Sequence, residues 1–222
     1  MDKERLASRI SSILLEQDRL ANTVRAMQKT DIRRYPGNYS LLSAEAARRS
    51  EQITCRLRHL VYETTDTKKM EYLLSAAAMQ GVEVRLRDDV LEITLPGLVP
   101  KRKRGQSAEF LLDPFMAAMS RFVEEHEIPR FEHCVVCFTH VYDRSLSEHR
   151  VRDYDNLELK QILDVATSFV MADDSGLLCD AYHTTELGDA DCTRMYIMDS
   201  RRFKDWLAER ESVLTSIRDF SV

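Results

Sequence analysis

Hydrophobic positions recur with helical spacing through the first part of the chain. In residues 1–31, apolar side chains return every three or four positions with charged residues between them, which predicts an amphipathic helix. The segment Tyr35–Asn38 contains Pro-Gly and is typical of a turn. A second helix is predicted from about Ala44 to Tyr62, with Ser43 as its N-terminal cap. A third covers residues 68–80, so that residues 1–81 form a helical region.

The pattern then changes to alternation, which is typical of strands. Residues 82–86 and 90–95 alternate around the turn Arg87-Asp88-Asp89, which predicts a β-hairpin. The remaining pattern predicts helices over 108–125, 156–170 and 201–217, and strands over 131–142, 177–185 and 192–198. Residues 82–222 are therefore expected to form an α/β domain with a mixed sheet, giving an α+β fold preceded by the N-terminal helical region.

Composition narrows the class of protein. The 222 residues are 44% hydrophobic and 31% charged, which fits a protein with one sizeable core. No apolar run is long enough for a transmembrane helix, so we expect no membrane partner. The charged N-terminus lacks the apolar stretch of a secretory signal, which favours a cytoplasmic location. Five scattered cysteines fit reduced thiols better than a disulfide framework.

The charge distribution bears on nucleic-acid binding. A net charge of −5 argues against a broadly basic surface, yet basic residues cluster locally. The first cluster is the run of four consecutive basic residues at 101–104. Two interpretations of this loop remain equally open: it binds DNA phosphates, or it is only a solvated charged loop. The candidate DNA-binding residues are Lys101, Arg102, Lys103, Arg104, Arg150 and Arg152.

The acidic segment 152–175, RDYDNLELKQILDVATSFVMADDS, carries the candidate chemistry. Asp153 and Asp155 flank Tyr154, and in extended chain such residues point to the same side. Two carboxylates placed in this way can share one hard cation, and Mg²⁺ prefers oxygen ligands. Asn156 can cap the following helix.

The helix after these acids adds a cation and further carboxylates. Asn156, Lys160 and Asp164 are spaced by four and are expected on one helix face. Asp173 and Asp174 follow the helix and supply a third candidate ligand. A metal that polarises a phosphoryl oxygen, together with a cation for the transition-state charge, is what phosphodiester cleavage needs.

Simpler interpretations compete with these. Asp is common at helix caps and in turns, so the acids alone do not establish a metal site. The run His133-Cys134-x-x-Cys137-x-x-His140 has metal-ligand residue types, but within a strand its cysteines face opposite sides, which favours buried core thiols over zinc. Asp189 and Asp191 are expected in a turn. Tyr154 either stacks on a nucleic-acid base or packs within the protein, and both interpretations remain open.

The acidic segment resembles the signature of RusA-type Holliday-junction resolvases. The strings R-D-x-D-N-L, K-x-I-L-D and D-D-S carry the resemblance, together with the upstream strand LEITLPG, and it covers about residues 90–198. The resemblance implies that Asp153, Asp155 and Asp174 bind Mg²⁺ and that Lys160 is catalytic. It also implies supporting roles for Asn156, Asp164 and Asp173. The spacing from Asp155 to Lys160 is one residue longer than in the family, and that from Asp164 to Asp174 is one shorter.

The resemblance implies a function. It points to a Mg²⁺-dependent, structure-specific endonuclease that cleaves branched DNA, acts as a homodimer and belongs to a phage or mobile-element setting. The alternative is a catalytically inactive RusA-like module that binds nucleic acid or protein. In either case the helices of residues 1–81 lie outside the resemblance, and they either pack on one another or recruit a protein partner.

Overall fold

The computed structural model describes residues 2–99, 108–146, 151–154 and 157–210. Several predicted residues lie outside this part of the chain, and so do residues 211–217 of the last predicted helix. The chain divides into two units, Met1–Tyr72 and Leu73–Val222, and the division falls within the third helix. The predicted site residues outside the described part are Asp155, Asn156, Lys101, Arg102, Lys103, Arg104 and Arg150.

The first unit is a hairpin of two long helices, α1 (Lys3–Lys29) and α2 (Pro36–Thr64). The helices are antiparallel, since Arg9 near the start of α1 pairs with Glu63 at the end of α2. Ile13 and Ile53 are buried in this unit. The predicted amphipathic pattern therefore describes the first helix correctly.

The predicted start of the second helix is wrong. The helix begins at Pro36 and not at Ala44, and the turn precedes it at residues 32–34. Proline suits the first turn of a helix because its missing N–H would be unpaired there in any case. Ser43 is consequently inside the helix, where its hydroxyl donates to the Tyr39 carbonyl at 2.7 Å instead of capping an end.

The second unit contains a five-stranded sheet with helices on both faces. Helix α3 (Lys69–Gln80) ends at Gly81, whose φ of 76° is the left-handed conformation typical of a residue after a helix end. The strands are β1 (Glu83–Arg87), β2 (Val90–Pro96), β3 (Cys134–Asp143), β4 (Cys179–Gly188) and β5 (Cys192–Asp199). The other helices are α4 (Glu109–Glu125), α5 (Lys160–Val170) and α6, of which residues 203–210 are described.

The sheet is mixed, as predicted. Its order is β1-β2-β5-β3-β4, and β3 pairs with β4 in parallel while the other neighbours are antiparallel. The β1–β2 turn contains Asp88 and Asp89 with positive φ, which matches the twist of a tight hairpin. The fold is therefore α+β, with an N-terminal helical region before the sheet.

Two layers of apolar side chains cover the sheet. On one face, Ile93, Val136 and Met195 pack with Phe115 of α4 and Ile162 of α5. On the opposite face, a smaller cluster of Val135 and Met198 is covered by aromatic residues of α6. The described part of the chain contains no helix with the length and apolar character needed to cross a membrane.

Candidate functional site

The segment 151–154 is anchored beside the carboxyl ends of the parallel strands β3 and β4. The Arg152 backbone N–H donates to the Tyr142 hydroxyl at 3.0 Å, and the Arg152 guanidinium donates to the Val99 carbonyl at 3.3 Å. The Tyr154 hydroxyl is 2.9 Å from Oγ1 of Thr185 in β4. Asp153 is held between these two anchored residues, and it is exposed. The segment therefore presents the Asp153 carboxylate to solvent from a fixed backbone.

Tyr154 packs on the protein itself. Its ring lies 5.3 Å from the His140 ring and 5.1 Å from the His183 ring, with tilts of 28° and 24°. Phe138 continues the stack at 5.5 Å from His183. The packing interpretation of Tyr154 is thus confirmed for the face that meets the two histidines.

His140 is buried without a hydrogen bond to its ring from the described part of the chain. It is 1% exposed, and neither ring nitrogen has a hydrogen-bond partner among the described residues. Burial, followed by repulsion from His183, lowers the pKa of His140 to about 4. Burial also lowers the pKa of His183. Both rings are neutral near pH 7, so the ring of Tyr154 packs on an uncharged surface.

The sequence did not reveal this histidine pair. His140 and His183 are 43 positions apart in the printed sequence, and they come together because β3 and β4 pair in parallel, with Phe138 opposite His183. A parallel pairing across a long connection leaves no local pattern in the sequence. His140 gave a weak signal as a polar residue within a largely apolar strand, whereas His183 stands among other polar residues of β4.

The acidic segment enters its helix later than predicted. Helix α5 begins at Lys160 and not at Asn156, and the residue before it, Leu159, provides no side-chain cap. Asn156, which was predicted to cap this helix, lies outside the described residues, and residues 157–159 precede the helix. The extra residue between Asp155 and Lys160 thus falls before the helix and does not rotate Lys160 around it.

Lys160 contacts one acid within its own helix and another that follows the helix. Its Nζ is 2.8 Å from Oδ1 of Asp164, one turn later, and 3.5 Å from Oδ2 of Asp174, beyond the helix end. A lysine at the first residue of a helix meets the positive end of the helix dipole, and these two carboxylates offset that repulsion. The hydrogen bond with Asp164 and the charges of both acids raise the pKa of Lys160 above its ordinary value.

Asp174 reaches Lys160 because the chain folds back along the helix. An 11-residue helix is about 16 Å long, so a residue beyond its end must return to meet its beginning. Phe131 and Met171 form an isolated parallel bridge, and the Arg130 guanidinium donates to the Met171 carbonyl at 3.2 Å. These contacts fix the start of the returning loop. Asp173 in the same loop is exposed.

The donor set suits a hard cation, although the described residues do not complete a site. Within the described ranges, no group of three or more His, Cys, Asp or Glu side chains is arranged to hold a metal ion. Asp155, the second predicted ligand, lies outside those ranges. The described acids supply only carboxylate oxygens, which Mg²⁺ prefers. The ammonium of Lys160 already lies against two of these carboxylates, so a positive charge is stabilised there.

Other candidate residues have structural roles. His133 is exposed, Cys134 and His140 lie on the face toward α4 and α5, and Cys137 faces the Arg210 side, so these four side chains do not converge as a zinc site. Asp191 accepts a hydrogen bond from the Asp143 backbone at 2.8 Å, as expected for a turn.

Comparisons with solved structures include a likeness that is too weak to support an argument. A Salmonella typhimurium protein, provisionally described as a translation initiation inhibitor, aligns at 9% identity with a TM-score of 0.25. The alignment covers 53% of this chain and 88% of that one, and a likeness this low carries no conclusion about fold or function. Curated proteins gave no match. The model of DUF6100, described as a family of unknown function, matches residues 2–221. The chain therefore belongs to the DUF6100 family.

Proposed function

We propose that the protein is a Mg²⁺-dependent, structure-specific endonuclease that cleaves branched DNA. The observation that carries this proposal is the contact of Lys160 with both Asp164 and Asp174. These three residues belong to strings that resemble the RusA-type signature, and they meet although Asp174 follows the helix that Lys160 begins. Their meeting supports a single reaction centre on the acidic segment.

The roles of the acids follow from their positions. Asp153, Asp155 and Asp174 would hold Mg²⁺, which when bound supplies Lewis-acid polarisation of a phosphoryl oxygen. The anchored segment 151–154 limits the freedom of Asp153, because Arg152 and Tyr154 are tied to the chain around it. A carboxylate held in this way needs less ordering when a cation or a phosphate arrives.

Lys160 acts as a fixed cation and not as a base. Its raised pKa keeps the ammonium protonated throughout the neutral range, so it can donate hydrogen bonds to phosphoryl oxygens but cannot accept a proton. The contact with Asp164 is shorter than that with Asp174. Asp164 is therefore the positioning residue for Lys160, while Asp174 can turn toward a cation.

The wider setting is part of the same proposal. A four-way junction presents two symmetric strands, so cleavage of both is best served by a homodimer in which each copy contributes one centre. Arg152 and the basic residues Lys101–Arg104 and Arg150 would contact phosphates beside the centre. A phage or mobile-element context follows from the resemblance, and a cytoplasmic location follows from the charged N-terminus; both complete the proposal.

The direct test is cleavage of a synthetic four-way DNA junction in the presence of Mg²⁺. We expect wild-type protein to cut the junction, and Asp155→Asn and Asp174→Asn to abolish cutting. Asp189→Asn removes an exposed carboxylate from the β4–β5 turn and serves as the matched control, which should cut like wild type. Absence of cutting by wild type at any Mg²⁺ concentration, with linear duplex and junction alike, would overturn the proposal.

A second candidate function is a non-catalytic module that binds nucleic acid or a protein partner. The observation that favours it is the same ion-pair cluster, since the ammonium of Lys160 lies against both Asp164 and Asp174 and reduces the repulsion between these carboxylates. The exposed apolar residues Leu14, Leu15 and Leu41 of the helical hairpin also fit a protein contact. Retention of junction binding in an electrophoretic assay, without cleavage, would select this candidate over the nuclease.

A further inference from the structure

Two cysteines lie opposite each other where the parallel strands begin. Cys134 is the first residue of β3, Cys179 is the first residue of β4, and the two are register partners in the ladder. Cys134 belongs to the apolar cluster under α4 and α5, and Cys179 packs against the same cluster, so both thiols are on one face of the sheet. Both are free thiols in the structure.

The spacing of neighbouring strands matches what a disulfide requires. Strands in a sheet are about 4.8 Å apart. A disulfide needs Cα atoms about 4.4–6.8 Å apart and side chains that point toward each other's side. Register partners on one face of a sheet have Cα atoms within this range and side chains on the same side, so a disulfide can form with a small local adjustment. The backbone is held in this register, since the Cys134 N–H donates to the Leu178 carbonyl at 2.9 Å.

The other two cysteines of the sheet lie opposite residues of other types. Cys137 lies opposite Tyr182 on β4 and Tyr196 on β5, and Cys192 lies opposite Val141 and Pro96. Cys55 belongs to the helical hairpin. In the described sheet, Cys134 and Cys179 are therefore the cysteines that the ladder pairs with each other.

We propose that Cys134 and Cys179 form a redox-sensitive dithiol site that a peroxide converts to an intramolecular disulfide. The Cys179 thiolate attacks one peroxide oxygen, the O–O bond breaks, and after protonation one water leaves, which gives a sulfenic acid on Cys179. The Cys134 thiol then attacks the Cys179 sulfur, the S–O bond breaks, and a second water leaves. In total the two thiols lose two protons and two electrons, and hydrogen peroxide is reduced to two waters.

The environments of the two sulfurs assign these roles. Cys179 is partly exposed, whereas Cys134 is buried, so a peroxide in solvent reaches Cys179 first. The hydrogen bond with Cys134 lowers the pKa of the Cys179 thiol, which favours its thiolate. The same pairing, together with burial, raises the pKa of Cys134, as suits a second thiol that reacts only once its neighbour is oxidised.

The bond would also fix the loop that carries Asp174. The N–H groups of Leu178 and Cys179 both donate to the Ser175 carbonyl at 2.9 Å, so a short turn separates Asp174 from the start of β4. A link from Cys179 to β3 restrains this turn. The dithiol site stands independently of the proposed nuclease, because its formation is measured by chemistry on sulfur and not by cleavage.

The test treats the purified full-length protein with hydrogen peroxide and then alkylates remaining thiols after denaturation. We expect two fewer alkylated cysteines, a mass lower by two hydrogen atoms before alkylation, and a crosslinked peptide pair that contains Cys134 and Cys179. Dithiothreitol should restore all five thiols. Cys179→Ser should remove the crosslink, while the matched control Cys192→Ser should retain it.

Thermal unfolding gives a second readout that needs no variant. The disulfide closes a long loop of the chain, so oxidised wild type should unfold at a temperature higher by about 5 °C or more than the reduced protein. Full alkylation after peroxide treatment would overturn the proposal, and so would a crosslink that maps to other cysteines or joins two chains.

Discussion

Nζ of Lys160 lies 3.5 Å from Oδ2 of Asp174, a residue fourteen positions later that follows the helix which Lys160 begins. The contact joins the first residue of α5 to the segment that follows the helix. It is longer than the contact of Lys160 with Asp164 at 2.8 Å. This difference gives Asp164 the role of holding the ammonium and leaves Asp174 available to a second cation.

Removal of the Lys160 charge should reduce cleavage without loss of stability. Lys160→Gln is expected to lower the junction cleavage rate about 10²-fold, because a preorganised cation for the transition state is lost. Asp164→Asn should lower it by a smaller factor, about tenfold, since the cation remains but is less well positioned. Single-turnover cleavage measures both effects.

The control for these variants is another exposed ion pair. Arg121→Gln breaks the pair of Arg121 with Glu125 on α4, where the two groups are 2.6 Å apart. It should leave cleavage unchanged. All three variants should unfold at urea concentrations close to that of wild type, as exposed pairs contribute little to stability. Equal loss of activity in Arg121→Gln would show that the effect is not specific to Lys160.

Tyr154 is expected to anchor the segment that presents Asp153. Tyr154→Phe removes one hydrogen bond to Thr185 and should cost about 0.5–1 kcal/mol of unfolding free energy. Tyr154→Ala also removes the stacking on His140 and His183 and should cost about 2 kcal/mol or more. Urea denaturation provides the free energies, and hydrogen exchange of residues 151–154 should accelerate strongly only in the alanine variant. Equal exchange in both variants would contradict the anchoring role.

The buried state of His140 predicts a loss of stability in acid. Its folded pKa of about 4 lies below the ordinary value of about 6.5, so the unfolded chain binds the proton more readily. The free energy of unfolding should therefore be fully present above about pH 6.5 and should decrease as the pH falls through the window toward 4, by roughly 2–3 kcal/mol from this group.

His140→Phe tests the acid effect because it removes the titrating ring and its two unpaired nitrogens. The variant should show a flatter dependence of unfolding free energy on pH between about 6.5 and 4, as measured by urea denaturation at each pH. His133→Gln, at an exposed position just before β3, should retain the wild-type slope. An unchanged slope in His140→Phe would mean that other groups cause the acid sensitivity.

A largely buried ion pair lies on the face of the sheet opposite the candidate site. Arg210 of α6 pairs with Glu186 of β4, their side chains are 11% and 17% exposed, and the Arg210 guanidinium lies 5.3 Å from the Trp206 ring. Arg210→Met should cost about 2–3 kcal/mol because Glu186 loses its main partner while it remains largely buried. Thermal and urea denaturation measure the loss, and a change below about 0.5 kcal/mol would contradict the packing of α6 on this face.

Local patterns predicted the local elements well. The alternation in residues 82–95 and the acids Asp88 and Asp89 predicted the β1–β2 hairpin, since its register depends only on neighbouring residues. Gly81 predicted the end of α3 for the same reason. Pro36 misled because the pair Pro-Gly is typical of turns, whereas here the proline begins a helix.

Contacts between distant segments could not be predicted in the same way. The resemblance suggested that Lys160 and Asp174 share a site. The sequence alone, however, does not show that the loop after α5 folds back to the start of the helix. The pairing of His140 with His183 and of Cys134 with Cys179 depends on the register of two parallel strands joined through α5. Such a register is set by packing of the whole sheet.

Under the proposed function, the acidic segment binds a divalent cation through Asp174. Isothermal titration of the full-length protein with Mg²⁺, and separately with Mn²⁺, tests it without any assumption about the substrate. Wild type and Asp189→Asn should show saturable one-site binding, and Asp174→Asn should bind at least tenfold more weakly. Absence of saturable binding by wild type, or equal affinity of wild type and Asp174→Asn, would contradict the claim.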